Sequence, residues 1–198
     1  MTAKHDLILA SASPRRKELL SQIGVRFSVM PVDICEDVQK NENPTDYVLR
    51  LAIEKAQTCY ENSDGHLPVL GSDTTVVLDG EILGKPSGVT EAIETLMKLS
   101  GGHHEVLTAI AVVNAEQTLY SVVKTAVKFK TLTQEMCKKY WMTGEPADKA
   151  GSYGIQGLGA VFVEEIQGSY SSVVGLPLCE TAALLEQAGV EIWHKDLV

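Results

Sequence analysis

The sequence predicts an α/β fold with a mixed sheet. Three observations carry this expectation. Short apolar runs alternate with segments that bear helix-capping signals. An Asp-Gly pair at residues 79 and 80 marks a tight hairpin. Two long apolar runs, 106–113 and 119–129, are close enough in sequence to form an antiparallel pair.

The elements follow in order. Residues 6–10 form a short apolar run that reads as a buried strand. Ser13 is an N-cap and Pro14 suits the first helical position, so a helix runs to about Ile23, with Leu19, Leu20 and Ile23 on its apolar face and Gly24 as its stop. A strand over 25–31 and an acidic loop over 33–43 come next. Asn43-Pro44 repeats the cap logic and opens a second helix, whose buried stripe is Tyr47, Val48, Leu51, Ala52, Ala56 and Cys59. Residues 67–72 and 74–78 read as two strands, and 81–83 as the strand returning from the hairpin. Thr90 caps a helix that ends near Leu99, before Gly101-Gly102, and Thr133 caps one that ends near Thr143-Gly144. A Gly-rich stretch, 151–159, precedes a strand over 160–166, and a last helix covers 177–187 before Gly189.

The chain has 198 residues, of which 44% are hydrophobic. This suits one domain, or at most two small ones, and excludes wholesale disorder. We read residues 1–198 as a single domain. The formal net charge is −9, which argues against a general nucleic-acid binder but leaves room for a local cationic pocket. No apolar run approaches the ~18 residues of a membrane span. The N-terminal apolar run is short, and Pro14-Arg15-Arg16-Lys17 follows it instead of a small-residue cleavage site. Cys35, Cys59, Cys137 and Cys179 lack the spacing of a zinc site or a disulfide framework. A reduced, cytoplasmic protein is the expectation.

Four segments could carry chemistry. Ser11-Ala12-Ser13-Pro14-Arg15-Arg16 opens a helix, so its hydroxyls, guanidiniums and free N–H groups form either a phosphate cradle or an ordinary cap with two solvated arginines. Gly71-Ser72-Asp73-Thr74 reads as the end of an apolar strand, where an acid suits metal or base work, or else an Asx-turn ends the strand. Glu36 could add a second carboxylate for a hard cation, although alone it reads as a solvated loop acid. Lys55, Lys85 and Lys149 each read alone as surface lysines, and His103 and His104 as structural or surface residues. In the Gly-rich stretch Gln156 carries both donors and an acceptor and could read a base edge; the alternative is a flexible connector.

Together these pieces resemble the Maf family of nucleotide pyrophosphatases. The resemblance rests on the segments around Ser11 and Asp73, and on Tyr47-Val48-Leu49-Arg50-Leu51-Ala52-Ile53-Glu54-Lys55-Ala56 and Gly84-Lys85-Pro86. It continues through Ser100-Gly101-Gly102-His103-His104-Glu105-Val106, Gly144-Glu145-Pro146-Ala147-Asp148-Lys149-Ala150-Gly151, Tyr153-Gly154-Ile155-Gln156-Gly157 and Val174-Gly175-Leu176-Pro177. Each segment is weak alone; their joint occurrence in this order is specific. The stretch before Glu36 departs from the family pattern, with Cys35 where another acid often stands.

The resemblance implies a mixed twisted sheet with flanking helices forming two lobes around a deep cleft, as in the Maf and ITPase-like folds. It implies hydrolysis of a nucleoside triphosphate to a monophosphate and pyrophosphate, a divalent metal (Mg²⁺ or Mn²⁺), and a homodimer. Residue by residue, Asp73 becomes the catalytic acid, with Glu36 and Asp73 as metal ligands. Ser11, Ser13, Arg16, Lys55 and Lys85 become phosphate contacts. Arg15, Thr74 and Gln156 stand at the positions that track base preference, in a combination similar to the subfamily acting on dTTP and UTP, with a house-cleaning role against non-standard nucleotides. The competing reading is a non-enzymatic, nucleotide-binding regulator of cell division.

Overall fold

The computed structural model describes residues 5–194. Its strands are β1 (Leu7–Leu9), β2 (Phe27–Val29), β3 (Val69–Leu78), β4 (Glu81–Leu83), β5 (His103–Val113), β6 (Thr118–Phe129) and β7 (Val163–Gln167). Its helices are α1 (Pro14–Gln22), α2 (Pro44–Asn62), α3 (Val89–Leu99), α4 (Gln134–Trp141), α5 (Tyr170–Val174) and α6 (Leu178–Gln187). The strands form one mixed, seven-stranded sheet in the order β2-β1-β3-β5-β6-β7, with β4 paired to β3. The predicted α/β class therefore holds.

The chain divides into two compact units. The first takes the chain up to Asp73, Thr108–Val123 and the chain from Gly175; the second takes Thr74–Leu107 and Lys124–Val174.

In the first unit β1 pairs parallel with both β2 and β3. Leu7, Ile8 and Leu9 are all buried, as expected for a parallel strand covered on both faces. Helix α2 buries Val48, Leu51, Ala52, Ala56 and Cys59, a stripe at helical spacing. Tyr47, predicted within that stripe, is only half-buried, because its hydroxyl reaches out to the Glu36 carbonyl oxygen 2.9 Å away. The caps fall where the sequence places them. Ser13 accepts from the Arg16 amide, and Asn43 accepts from the Thr45 and Asp46 amides.

In the second unit β4 returns antiparallel along β3 through Asp79 and Gly80, both at positive φ as a tight hairpin turn requires. Helices α3 and α4 bury Ala92, Leu96, Leu99, Cys137 and Tyr140. Phe129, Tyr153 and His104 pack edge to face on one another. Each large apolar side chain buried in this way contributes about 1.5–3 kcal/mol.

Four elements differ from expectation. The predicted strands 67–72 and 74–78 are one continuous strand, β3, held by β1 at residues 69–70 and by β4 at 76–78. Asp73 therefore lies inside a strand and not at its end. Thr90 lies inside α3, whose N-cap is Gly88 with no side-chain cap; the Glu91 carboxylate in the first turn accepts from the Ser87 amide and hydroxyl at 2.8 and 2.5 Å, which ties the helix start to the preceding residue. Residues Leu158–Phe162 form a short 3-10 turn, so β7 starts later than the predicted strand. The short helix α5 had no signal in the sequence reading.

Candidate functional site

In the first unit the predicted site residues come from the β1–α1 connection and α1, the segment after β2, helix α2 and strand β3. The chain leaves β1 at Leu9 and turns into α1 through Ser11 and Ser13. The buried Ser11 hydroxyl accepts from the Ser13 amide at 3.2 Å and from Arg16 Nη1 at 3.3 Å. Ser13 Oγ caps the Arg16 amide at 3.5 Å. The two hydroxyls and Arg16 thus share one helix N-terminus, whose free N–H groups favour an anion. Arg15, next in sequence, is half-buried.

Packing of α2 on β3 builds the acidic part. A Cβ on Gly71 would lie 2.3 Å from the Ala52 carbonyl oxygen and 2.8 Å from the Ala56 amide nitrogen, so only glycine permits this approach. Side chains two apart on a strand share a face. Asp73 therefore points to the same side as Gly71, toward α2, where Lys55 precedes Ala56. Lys55 Nζ lies 2.7 Å from Asp73 Oδ1 and 2.5 Å from Glu36 Oε1. The Lys55 and Asp73 side chains are each only 12% exposed, whereas Glu36 is 41% exposed. Lys55 is no surface lysine: it draws two carboxylates to one point.

The opposite face of β3 carries Ser72, to which the sequence reading gave no role. Its hydroxyl donates to the Gly175 carbonyl oxygen at 3.2 Å, and Arg16 Nε donates to the same oxygen at 2.9 Å. Strand alternation puts Ser72 opposite Asp73, and this was the signal available in the sequence. Burial pulls the Arg16 guanidinium below its ordinary range; nearby Asp73 and Glu36 oppose that pull, and Arg15 adds to it.

Thr74, Lys85 and Gln156 belong to the second unit. Thr74 is half-buried, while Lys85 and Gln156 are exposed. The Gly151 amide donates to the Gly84 carbonyl oxygen at 3.1 Å, which ties the Lys85 segment to the Gly-rich stretch. That stretch is no loose connector, since residues 151–155 are buried. Glu145 holds its far end: its carboxylate accepts from Tyr140 Oη at 2.6 Å and from the Leu158 and Gly159 amides at 2.7 and 3.0 Å. Burial opposes ionisation of Glu145, but these donors together with Lys149 keep its carboxyl below the usual range. Lys149 is only 15% exposed and pairs with Asp148. His104 is buried, with Nε2 2.8 Å from Tyr153 Oη. Burial, aided by His103, holds its imidazole down to about 4, which fits a neutral structural residue.

Among the described residues no group of three or more His, Cys, Asp or Glu side chains is arranged as a metal cluster. Asp73 and Glu36 nonetheless suit a hard divalent cation. Mg²⁺ is commonly held by one or two carboxylates together with substrate phosphates and water. Here Lys55 already gathers two carboxylates.

Known proteins resemble this chain throughout. A "dTTP/UTP pyrophosphatase" of Colwellia psychrerythraea is 57% identical over 187 residues, covering 92% of this chain and 88% of the relative. A protein of the same name from Hahella chejuensis is 50% identical, covering 94% of each chain. Among solved structures, a nucleoside-triphosphatase (dITP/XTP pyrophosphatase) from Mycobacterium abscessus matches with a TM-score of 0.46 at 15% identity, over 91% of this chain and 93% of that one. The sequence profile of the Maf-like proteins matches residues 6–188, so the chain belongs to the Maf-like protein family.

Proposed function

We propose that this protein is a nucleoside triphosphate pyrophosphatase that hydrolyses dTTP and UTP to the monophosphate and pyrophosphate and so clears non-standard nucleotides in the cytoplasm. One observation carries the reading: the Asp73–Lys55–Glu36 cluster stands in the same unit as the hydroxyl-lined N-terminus of α1. The names of the relatives support it.

Asp73 is the general base. Its carboxylate accepts a proton from water as the water oxygen bonds to phosphorus and the P–O bond between the α and β phosphates breaks, pyrophosphate leaving with the electron pair. Ser11, Ser13 and Arg16 hold phosphate oxygens, as does Lys85. Lys55 keeps the two carboxylates placed and adds positive charge for the phosphates. Phosphoryl transfer depends mostly on such positioning and charge neutralisation. Glu36 and Asp73 would hold Mg²⁺ or Mn²⁺, which supplies charge neutralisation at the phosphates when bound. Activity is expected to vanish in excess EDTA and to return with added Mg²⁺; full activity in EDTA would refute the metal assignment.

Arg15, Thr74 and Gln156 are the base-reading residues in this proposal. Uracil and thymine present two carbonyl acceptors and one N3–H donor. Arginine offers donors only, and glutamine offers both donors and an acceptor. Cytosine replaces one acceptor with an amino donor, which leaves a protein donor unpaired at a cost of about 1–3 kcal/mol, or ~5- to 150-fold. We expect kcat/KM for dTTP and UTP to exceed that for CTP and GTP at least about tenfold. Gln156→Glu, which loses the amide donors, should erode the preference. A panel of nucleoside triphosphates with pyrophosphate readout tests both points. Equal kcat/KM for all bases, or an unchanged ranking in Gln156→Glu, would refute this base-reading role.

A further inference from the structure

Helix α2 does more than carry Lys55. Tyr47, Arg50 and Glu54 stand at positions i, i+3 and i+7 on one face of the helix. Two of them reach the loop that bears Glu36. Tyr47 Oη donates to the Glu36 carbonyl oxygen at 2.9 Å, and Arg50 Nη2 donates to the Asp37 carbonyl oxygen at 3.0 Å. The same guanidinium grips Glu42 through Nε at 2.6 Å and Nη2 at 2.9 Å, and its Nη1 lies 3.3 Å from Glu54. Glu42 in turn accepts from the Gln39 amide at 2.9 Å, so the loop closes on itself around Arg50.

We infer that Tyr47 and Arg50 are positioning residues that fix the main chain of Glu36 and Asp37 and thereby set the Glu36 carboxylate beside Asp73. The argument starts from what would otherwise order this loop. Residues 30–38 form no helix or strand. The Glu36 side chain is 41% exposed, and an ion pair that open to water is too weak to order a loop by itself. The bonds from Tyr47 and Arg50 add order where that pair does not reach, at two consecutive main-chain carbonyls. Arginine suits the task because its planar fork meets a carboxylate and a carbonyl at once, which a lysine ammonium does not reproduce. The hydrogen bond from Arg50 holds the Glu42 carboxyl down to about 2, so this pair stays charged at any working pH.

The inference rests on the proposed reading of Glu36 as a metal ligand. Its test is therefore direct binding of Mn²⁺, followed by electron paramagnetic resonance, with the protein bound to a non-hydrolysable α,β-methylene analogue of dTTP. Tyr47→Phe and Arg50→Lys should each weaken Mn²⁺ binding roughly 10-fold, the loss typical of residues that support a metal ligand. Tyr47→Phe deletes one oxygen and should leave the far-UV spectrum and Tm in place. In a Glu36→Gln background Tyr47→Phe should add no further loss, because both changes act through one side chain. Unchanged Mn²⁺ affinity in both variants, an additive loss in that background, or no Mn²⁺ binding by the wild-type protein would overturn the inference. Pyrophosphate release by the wild-type protein is measured separately: its absence would refute the enzyme reading, while the Mn²⁺ double-mutant cycle judges the clamp.

Discussion

Asp73→Asn should lower kcat by ~10²–10⁴-fold, the loss expected of a general base, while the fold persists. Asparagine keeps the shape of the side chain and removes its charge and basicity. Lys55 retains Glu36 as an ionic partner 2.5 Å away, so the substitution strands no buried ammonium. Circular dichroism and thermal unfolding should therefore remain close to wild type while pyrophosphate release collapses. Retention of more than about a tenth of the activity would contradict the assignment of Asp73 as the base.

Lys55→Met should have an effect of similar size by a different route. Methionine keeps the apolar stem and deletes the ammonium that both carboxylates share. Removing one preorganised charge of this kind costs ~10²–10³-fold in kcat. Asp73, only 12% exposed, and Glu36 would then lose the ammonium they share. Pyrophosphate release by Lys55→Met should therefore fall ~10²–10³-fold in kcat. Activity within a few-fold of wild type would show that this ammonium does not serve catalysis.

The parts of the molecule legible in the sequence are the local ones. Ser13-Pro14 and Asn43-Pro44 start helices because a cap and its amides lie within three residues, and Asp79-Gly80 turns a hairpin by its own backbone preference. The residue pattern breaks at Ser72-Asp73, so the sequence alone predicts a strand end at Asp73. The pairing that keeps β3 one strand, with β1 before the break, β4 after it and β5 as a further neighbour, is tertiary. The convergence of Glu36 on Lys55 was equally invisible, since it depends on a loop tied down by Tyr47 and Arg50. Both residues stand in the segment 47–56, where spacing alone does not reveal what they grip. The need for glycine at position 71 is also tertiary, since any Cβ there would lie 2.3 Å from the Ala52 carbonyl oxygen. Glu145 reads as one acid in a polar stretch, yet it organises the main chain beyond Gln156 through three donors.

The central claim is scission between the α and β phosphates by this chain. The most direct measurement is ³¹P magnetic resonance of dTTP incubated with the purified protein and Mg²⁺, run beside Asp73→Asn. The account predicts that the three triphosphate signals give way to equal amounts of dTMP and pyrophosphate, with no early inorganic phosphate and no dTDP, and that Asp73→Asn leaves the substrate intact. Bound but unaltered dTTP, or its conversion to dTDP and phosphate, would contradict it.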